Sequence, residues 1–428
     1  MFYSVKLHDK NRSWLGSQFV YYVFLGVIIL TMFPIVALDL ETTGLNPQRD
    51  VIMEIGAVRF NGNEVEETYQ TLVNPRRPIP PEISQITHIT NEMVSTAPAL
   101  DEILGDFAKF VGELPVLGHN LLFDLNFLRL QNILRSNEPL DTYALASVLM
   151  PSASRYKLSA LTEQLKIDTS DIQAHRALDD ALMTQRVFLR LYQEAKFLPI
   201  ELVAEIVRYG QNVDWGGKWF FNQLLREHAK EPIKARKVQQ KKFGVLFEAP
   251  REMLAPPMKA NKEILPLDEE EVAAYLEHSG AFDKYLENFE SRPQQIEMVK
   301  SVAHALSESQ HLMIEAGTGI GKSFAYLVPA ALWATKNNLR VVVSTNTINL
   351  QDQLMSKDIP DLCSAMGLDL RATVLKGRRN YLCPLRLEAL RKRGPSSAGE
   401  LRVLAKVLVW MMKGGTGDRG EINLTGPS

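Results

Sequence analysis

Cysteine is nearly absent from this chain: its 428 residues include two, Cys363 and Cys383. Two thiols exclude a disulfide scaffold and suit a reducing cytosol, so a cytoplasmic location is expected. Net charge is nearly absent too, at −2. The chain as a whole is therefore no electrostatic magnet for nucleic acid, and such a partner needs local basic patches. No internal repeat is visible. There is also no apolar run long enough for a membrane helix, which takes ~20 residues. The longest candidate, Phe19 to Phe33, follows Lys6, Lys10 and Arg12. Lengthening it would consume the next strand, whose carboxylates cannot lie in lipid. Residues 1–33 are thus either a short apolar leader or an upstream extension from a misassigned start. The second is favoured, because Met32 sits just ahead of the strand. No stable membrane partner is expected.

What is present is ordinary for a soluble globular protein: 46% hydrophobic and 23% charged residues. The length allows about two to four domains. The most informative stretch is Asp39-Leu40-Glu41-Thr42-Thr43-Gly44, which follows the apolar run Ile35-Val36-Ala37-Leu38. Carboxylates spaced i, i+2 on a strand point to the same face. Two like charges side by side are costly unless a cation lies between them. Oxygen ligands select a hard ion such as Mg²⁺ or Mn²⁺. Paired metals on carboxylates cut phosphodiesters, so a metal-dependent nuclease is the first expectation.

The pattern downstream supplies further acids. Val51 to Phe60 reads as a strand, Asn61-Gly62-Asn63 as a hairpin turn and Val65 to Val73 as the returning strand. After a proline-rich loop at 75–81, helical patterning covers Ala99 to Val111. A short strand, Val116 to Asn120, leads into a helix with Asp124. Leu158 to Leu165 looks helical, and His175 to Tyr192 forms an amphipathic helix carrying Asp180. A mixed sheet flanked by helices follows, closing near Lys196. Residues 197–285 read as a helical and basic connector. Its basic run, from Lys230 to Lys242, is either a solvated linker or a phosphate-contacting patch.

The three acidic segments, Asp39-Leu40-Glu41, Gly118-His119-Asn120 through Asp124, and His175 through Asp180, together resemble the three motifs of the DEDDh exonucleases. That family includes the proofreading subunit of the bacterial replicative polymerase. The resemblance covers 34–196 and implies a ribonuclease-H-like fold, two divalent metals and 3′→5′ hydrolysis to nucleoside monophosphates. It assigns Asp39, Glu41, Asp124 and Asp180 as metal ligands and His175 as general base. Family spacing selects Asp180 over Asp179. Thr87-His88-Ile89-Thr90 departs from the pattern, because relatives often have glycine where His88 sits. Substrate contacts there are left unassigned. DNA is the expected substrate, with RNA left open.

From Arg292 a second α/β pattern begins. It reads as a helix over Pro293 to Ser307, a strand at His311–Glu315, a glycine-rich loop, a helix, and a strand at Arg340–Ser344. Ala316-Gly317-Thr318-Gly319-Ile320-Gly321-Lys322-Ser323 matches a P-loop. Such a loop's backbone amides cradle phosphates, with Lys322 on the terminal phosphates and Ser323 on Mg²⁺. Phe289 through Gln295 resembles the adenine-recognising segment of superfamily 2 helicases, which places Arg292 and Gln295 at the base of ATP. Ser344-Thr345-Asn346-Thr347 resembles a segment that touches single-stranded DNA. Leu375 through Cys383 resembles the first cluster-cysteine region of DinG- and XPD-type helicases.

The departures are equally specific. No Asp-Glu-Ala-His box lies downstream of the P-loop, and Asp268-Glu269-Glu270-Glu271 precedes it. Two cysteines cannot supply the four ligands of an iron–sulfur cluster. Residues 286–428 are therefore expected to be a partial, truncated RecA-like domain, binding ATP weakly at best and not unwinding DNA. Two alternatives remain. The P-loop module could sense ATP and regulate the nuclease without unwinding, or the chain could be a membrane-tethered nucleic-acid-binding protein.

Overall fold

A computed structural model describes residues 34–172, 176–230 and 258–424. The leader at 1–33, His175, and the basic run beyond Lys230 with Pro250, Pro256 and Pro257 lie outside the described residues. The chain divides into two compact units. One comprises Met1–Gln239 with Pro395–Val409, the other Gln240–Gly394 with Trp410–Ser428.

The first unit is built on one five-stranded sheet: β1 (Ile35–Thr42), β2 (Ile52–Asn61), β3 (Glu64–Leu72), β4 (Val116–Gly118) and β5 (Pro139–Asp141). The strand order is β3-β2-β1-β4-β5. β1 and β2, like β2 and β3, pair antiparallel, whereas β4 runs parallel to β1 and β5 parallel to β4. The composition explains the order. β1 and β2 are nearly continuously apolar and buried, as strands covered on both faces must be. β3 is mostly exposed, polar and at the edge. Asn61 pairs with Glu64, leaving a two-residue turn in which Gly62 takes φ +59°. The right-handed twist of a hairpin favours that left-handed turn geometry.

Helices cover the sheet. They are α1 (Pro81–Thr87), α2 (Asn91–Ser95), α3 (Leu100–Val111), α4 (Leu122–Leu130), α5 (Thr142–Leu149), α6 (Leu158–Gln164) and α7 (Ala177–Ala195). The core joins Val36, Leu38 and Leu40 of β1 with Ile55 of β2, Phe107 of α3, and Leu125 and Leu128 of α4. α7 lies against β1 and β2, with the Phe60 and Phe188 rings meeting edge to face. This is the mixed, helix-flanked sheet that the sequence pattern predicts.

The unit extends further than the sequence pattern suggested. α8 (Ile200–Gly210) and α9 (Lys218–Lys230), read above as the start of a connector, pack into it. Phe220 of α9 contacts both Phe188 and Tyr192 of α7, and each such buried aromatic contributes about 1.5–3 kcal/mol. Among the described residues, no helix is long and apolar enough to cross a membrane.

The second unit is helical where it is packed. Its elements include α10 (Glu269–Ala274), α11 (Ala281–Tyr285), α12 (Pro293–Ser307), α13 (Lys322–Asn337), α14 (Ile348–Gln353), α15 (Ile359–Met366) and α16 (Pro384–Arg393). Phe282, Val299, Ala303, Ala325, Val328 and Leu362 form part of its core. Asp268 accepts the Glu270 and Glu271 N–H groups and caps α10, so the acidic run there serves a helix start.

The strands expected at 311–315 and 340–344 are not formed. Both segments lack ladder partners, and Met313 is 96% and Val342 82% exposed. Parallel strands are stable with neighbours beside them and cover on both faces. Here the helices pack on one another instead.

Candidate functional site

Asp39 and Glu41 leave β1 on one face, opposite Gly56 and Glu54 of β2. Asp180 comes from the first turn of α7, whose axis is set by burial of Ala177, Ala181, Thr184 and Phe188. One ligand oxygen from each of Asp39, Glu41 and Asp180 falls within 4.8 Å of the others. Asp179, next along the helix, is not in this group. Asp124 is not in it either. It is 3% exposed, and its Oδ1 accepts the Leu40 N–H at 3.2 Å. α4 thus anchors it to the β1 backbone between Asp39 and Glu41.

The electrostatics of this set are adverse without a cation. Burial raises the Asp39 carboxyl well above the usual aspartate range, and the charges of Asp124, Asp180, Glu41 and Glu54 raise it further. Glu41 is pushed up to about 8, first by burial and then by Asp180 and Glu54. Asp124 is also raised, chiefly by burial, although the Leu40 N–H opposes the shift. Carboxylates crowded in this way cannot all ionise unless positive charge joins them. Hard oxygen donors in this number and spacing fit a divalent ion such as Mg²⁺ or Mn²⁺.

Sequence reasoning missed several supporting residues. Glu54 is fully buried and receives Arg176 Nη2 at 2.7 Å, together with Gln70 Nε2 at 3.0 Å and the Ala177 N–H at 3.2 Å. No local pattern marks the pair: Glu54 lies in the strand paired with β1, and its partner Arg176 stands 122 residues further along the chain. Asp141, at the end of β5, accepts the Asn120 N–H at 3.0 Å and the Tyr143 N–H at 2.9 Å. It thereby ties the loop after β4 to the start of α5. His119 lies in that loop, with Nδ1 2.9 Å from Thr142 Oγ1. Burial lowers its pKa to about 4, so it is neutral at physiological pH. His88 is the C-cap of α1 at φ +59°, a backbone that glycine adopts more readily.

In the second unit, Gly319 and Gly321 both take positive φ, at +82° and +79°, as the P-loop turn requires. α13 starts at Lys322, directly after that turn. Lys322 Nζ donates to the Ala316 and Gly317 carbonyls at 2.9 and 2.8 Å. Gln295 is 2% exposed, and its Nε2 donates to the Gly321 carbonyl at 2.8 Å. Arg292 caps α12 and pairs with Glu290 at 3.1 Å. Ser323 follows Lys322 in the first turn of α13, and Thr318 and Ile320 lie in the loop. Cys363 is half-buried and Cys383 exposed, both as free thiols.

Comparison with known proteins matches both regions. Residues 36–188 fit the Exonuclease family model, and residues 292–382 fit the DEAD/DEAH box helicase model. The "3'-5' exonuclease DinG" of Bacillus subtilis (strain 168) is 30% identical over 396 residues, covering 91% of this chain. The protein of the same name from Staphylococcus haemolyticus is 29% identical over 394 residues. The chain spans 42% of the length of each of these relatives. Among solved structures, "Exonuclease X in complex with 5' overhanging duplex DNA" is 28% identical. That match covers 38% of this chain and 92% of the other, with a TM-score of 0.33. The chain is therefore similar to an exonuclease-family domain over 36–188 and to a DEAD/DEAH box helicase domain over 292–382.

Proposed function

We propose that the first unit is a 3′→5′ exonuclease that hydrolyses DNA to nucleoside monophosphates, and that the P-loop segment binds ATP with Mg²⁺. One observation carries the nuclease reading. Asp39 and Glu41 of β1 and Asp180 of α7, far apart in sequence, converge within 4.8 Å, with Asp124 buried against the backbone between the first two. The relatives' name, 3′-5′ exonuclease, supports this direction of cleavage.

Asp39, Glu41 and Asp180, with Asp124, would hold two divalent ions. Such ions, when bound, lower the pKa of a water and stabilise the leaving oxygen. The remaining work falls to the chain's own groups. His175 accepts the proton of the attacking water, a task suited to an imidazole that titrates near neutral pH. The positive end of the α7 dipole would favour a phosphate held near it. In the second unit, the amides from Gly317 to Gly321 and the ammonium of Lys322 would hold the nucleotide's phosphates, Ser323 its Mg²⁺, and Gln295 with Arg292 its adenine. Two thiols, Cys363 and Cys383, are too few for an iron–sulfur cluster. Their free state goes with a cytoplasmic location.

The test is degradation of a 5′-labelled single strand in Mg²⁺ or Mn²⁺. Asp39→Ala is expected to slow shortening from the 3′ end on the order of 10³-fold, with the far-ultraviolet circular dichroism unchanged. Degradation at the wild-type rate would overturn the assignment.

A further inference from the structure

The acid site depends on the start of α7 being held at a fixed distance from β1, and the hydrogen bonds there converge on one buried side chain. Glu54 stands on β2 in register with Glu41, so the two side chains share a face of the sheet. A fifth carboxylate at that place is adverse for a site already crowded with negative charge. Yet Glu54 is fully buried there and accepts hydrogen bonds from Arg176, Gln70 and the Ala177 N–H.

The geometry of these bonds is specific. Arg176 Nη2 reaches Oε1 at 2.7 Å and Arg176 Nε reaches Oε2 at 3.2 Å, the two-pronged arrangement that fixes a guanidinium in orientation as well as distance. Oε2 also accepts the N–H of Ala177, the first residue of α7. That group is one of the helix's unpaired N-terminal donors, and a carboxylate there also complements the helix dipole. Two residues along β2, Gly56 faces the backbone of Ala177 and Leu178 so closely that no β-carbon would fit. Asp180 follows within the same turn, its N–H bonded to the Arg176 carbonyl at 2.9 Å.

We infer that Glu54 and Arg176 are positioning residues for the acid site: their two-pronged pair clamps the N-terminus of α7 to β2 and thereby sets the reach of Asp180 to the divalent ion shared with Asp39 and Glu41. The pair itself ligates nothing, because both Glu54 oxygens are engaged by Arg176, Gln70 and Ala177. The inference rests on the metal-site reading above.

The experiment separates the two. Full-length wild type, Glu54→Gln and Arg176→Lys are titrated with Mn²⁺, and free Mn²⁺ is read by electron paramagnetic resonance. Each protein is also melted without metal, and its kcat and KM on a labelled strand are measured. Glutamine keeps the shape of Glu54 without its charge, and lysine keeps the charge of Arg176 without the planar fork. Both variants are expected to bind Mn²⁺ about 10-fold more weakly or worse, the usual size of an effect transmitted through a ligand's supports. Their kcat falls while KM for the strand stays near wild type. Wild type that binds no Mn²⁺ sinks the metal-site reading and the clamp with it. Wild type that binds, beside variants of unchanged Mn²⁺ affinity, sinks the clamp alone, and it does so even if their melting temperatures drop. Should Glu54→Gln fail to fold, Arg176→Lys decides by the same titration.

Discussion

The two units treat the same kind of sequence in opposite ways. In the first, Ile35 to Leu38 enters a sheet with antiparallel β2 on one side and parallel β4 on the other, and all four residues are fully buried. In the second, Leu312-Met313-Ile314 and Val341-Val342-Val343 have the same β-branched and apolar character but join no ladder, and Met313 and Val342 lie open to water. Strand propensity is a statement about fitting a pleated, half-buried surface. Where neighbouring strands supply that surface, the site acids are aimed to within a few ångströms. Where they do not, the P-loop still takes its glycine turn, because that turn is decided locally by φ.

That contrast can be broken at several points. The P-loop side of the contrast is tested at Lys322. Lys322→Ala should weaken ATP binding by about 10-fold or more, as loss of a charged phosphate contact does, and leave the nuclease rate of the same preparation unchanged. Calorimetry and the labelled-strand assay read the two. A nuclease that responds to ATP in wild type and loses the response in Lys322→Ala would instead make the P-loop a regulator.

Burial provides the next contrast. Ile55→Ala, in the first unit's core, should cost about 2–5 kcal/mol in chemical denaturation. Met313→Lys, at an exposed apolar position of the second, should stay within about 0.5 kcal/mol. Equal costs would mean that the exposed segment is packed in solution.

The third contrast is in pH. Glu41 titrates at about 8 in the folded protein against an ordinary 4.5. Between those values the folded state retains a proton that the unfolded chain has released, so stability falls as pH rises. Asp39 and Asp124, also raised, act in the same direction. Glu54 has the opposite sign: its lowered pKa contributes stability that is lost only as pH falls below the usual glutamate range. The melting temperature of metal-free protein should therefore drop between about pH 5 and pH 8, and Mg²⁺ or Mn²⁺ should flatten the slope. A metal-free melting temperature that holds or rises across that window would contradict the crowding of the acids.

A small effect lies at His88, which holds φ +59° at the end of α1. His88→Gly should raise stability by about 0.5–1 kcal/mol, relief of left-handed strain being partly offset by the greater freedom of glycine in the unfolded chain. A loss of stability would show that the imidazole makes contacts worth more than the strain.

Much of the first unit was legible because its signals are periodic or local. The i, i+2 acids, the Asn61-Gly62 turn and the amphipathic stretch that became α7 each declare themselves within a few residues. α5 did not, since Thr142 to Leu149 is buried nearly throughout and carries no polar stripe to give a helical period. Glu54 was illegible for another reason. An isolated acid in an apolar strand gains meaning from its partner 122 residues away, Arg176, and no local pattern links them. The second unit's strands were misread because their residue types are right and their neighbours are missing. That condition belongs to the sheet and not to the segment.

Gly56 has a practical consequence for anyone who screens this protein by random substitution. It bears no charge, binds nothing and reacts with nothing, yet every larger residue would push the α7 backbone off the sheet. In a selection for activity it would sort with Asp39 and Asp180 as a position that tolerates no change. Intolerance at that place would report a spacing between two pieces of main chain, and a map of inactive variants would draw the active site one residue too wide.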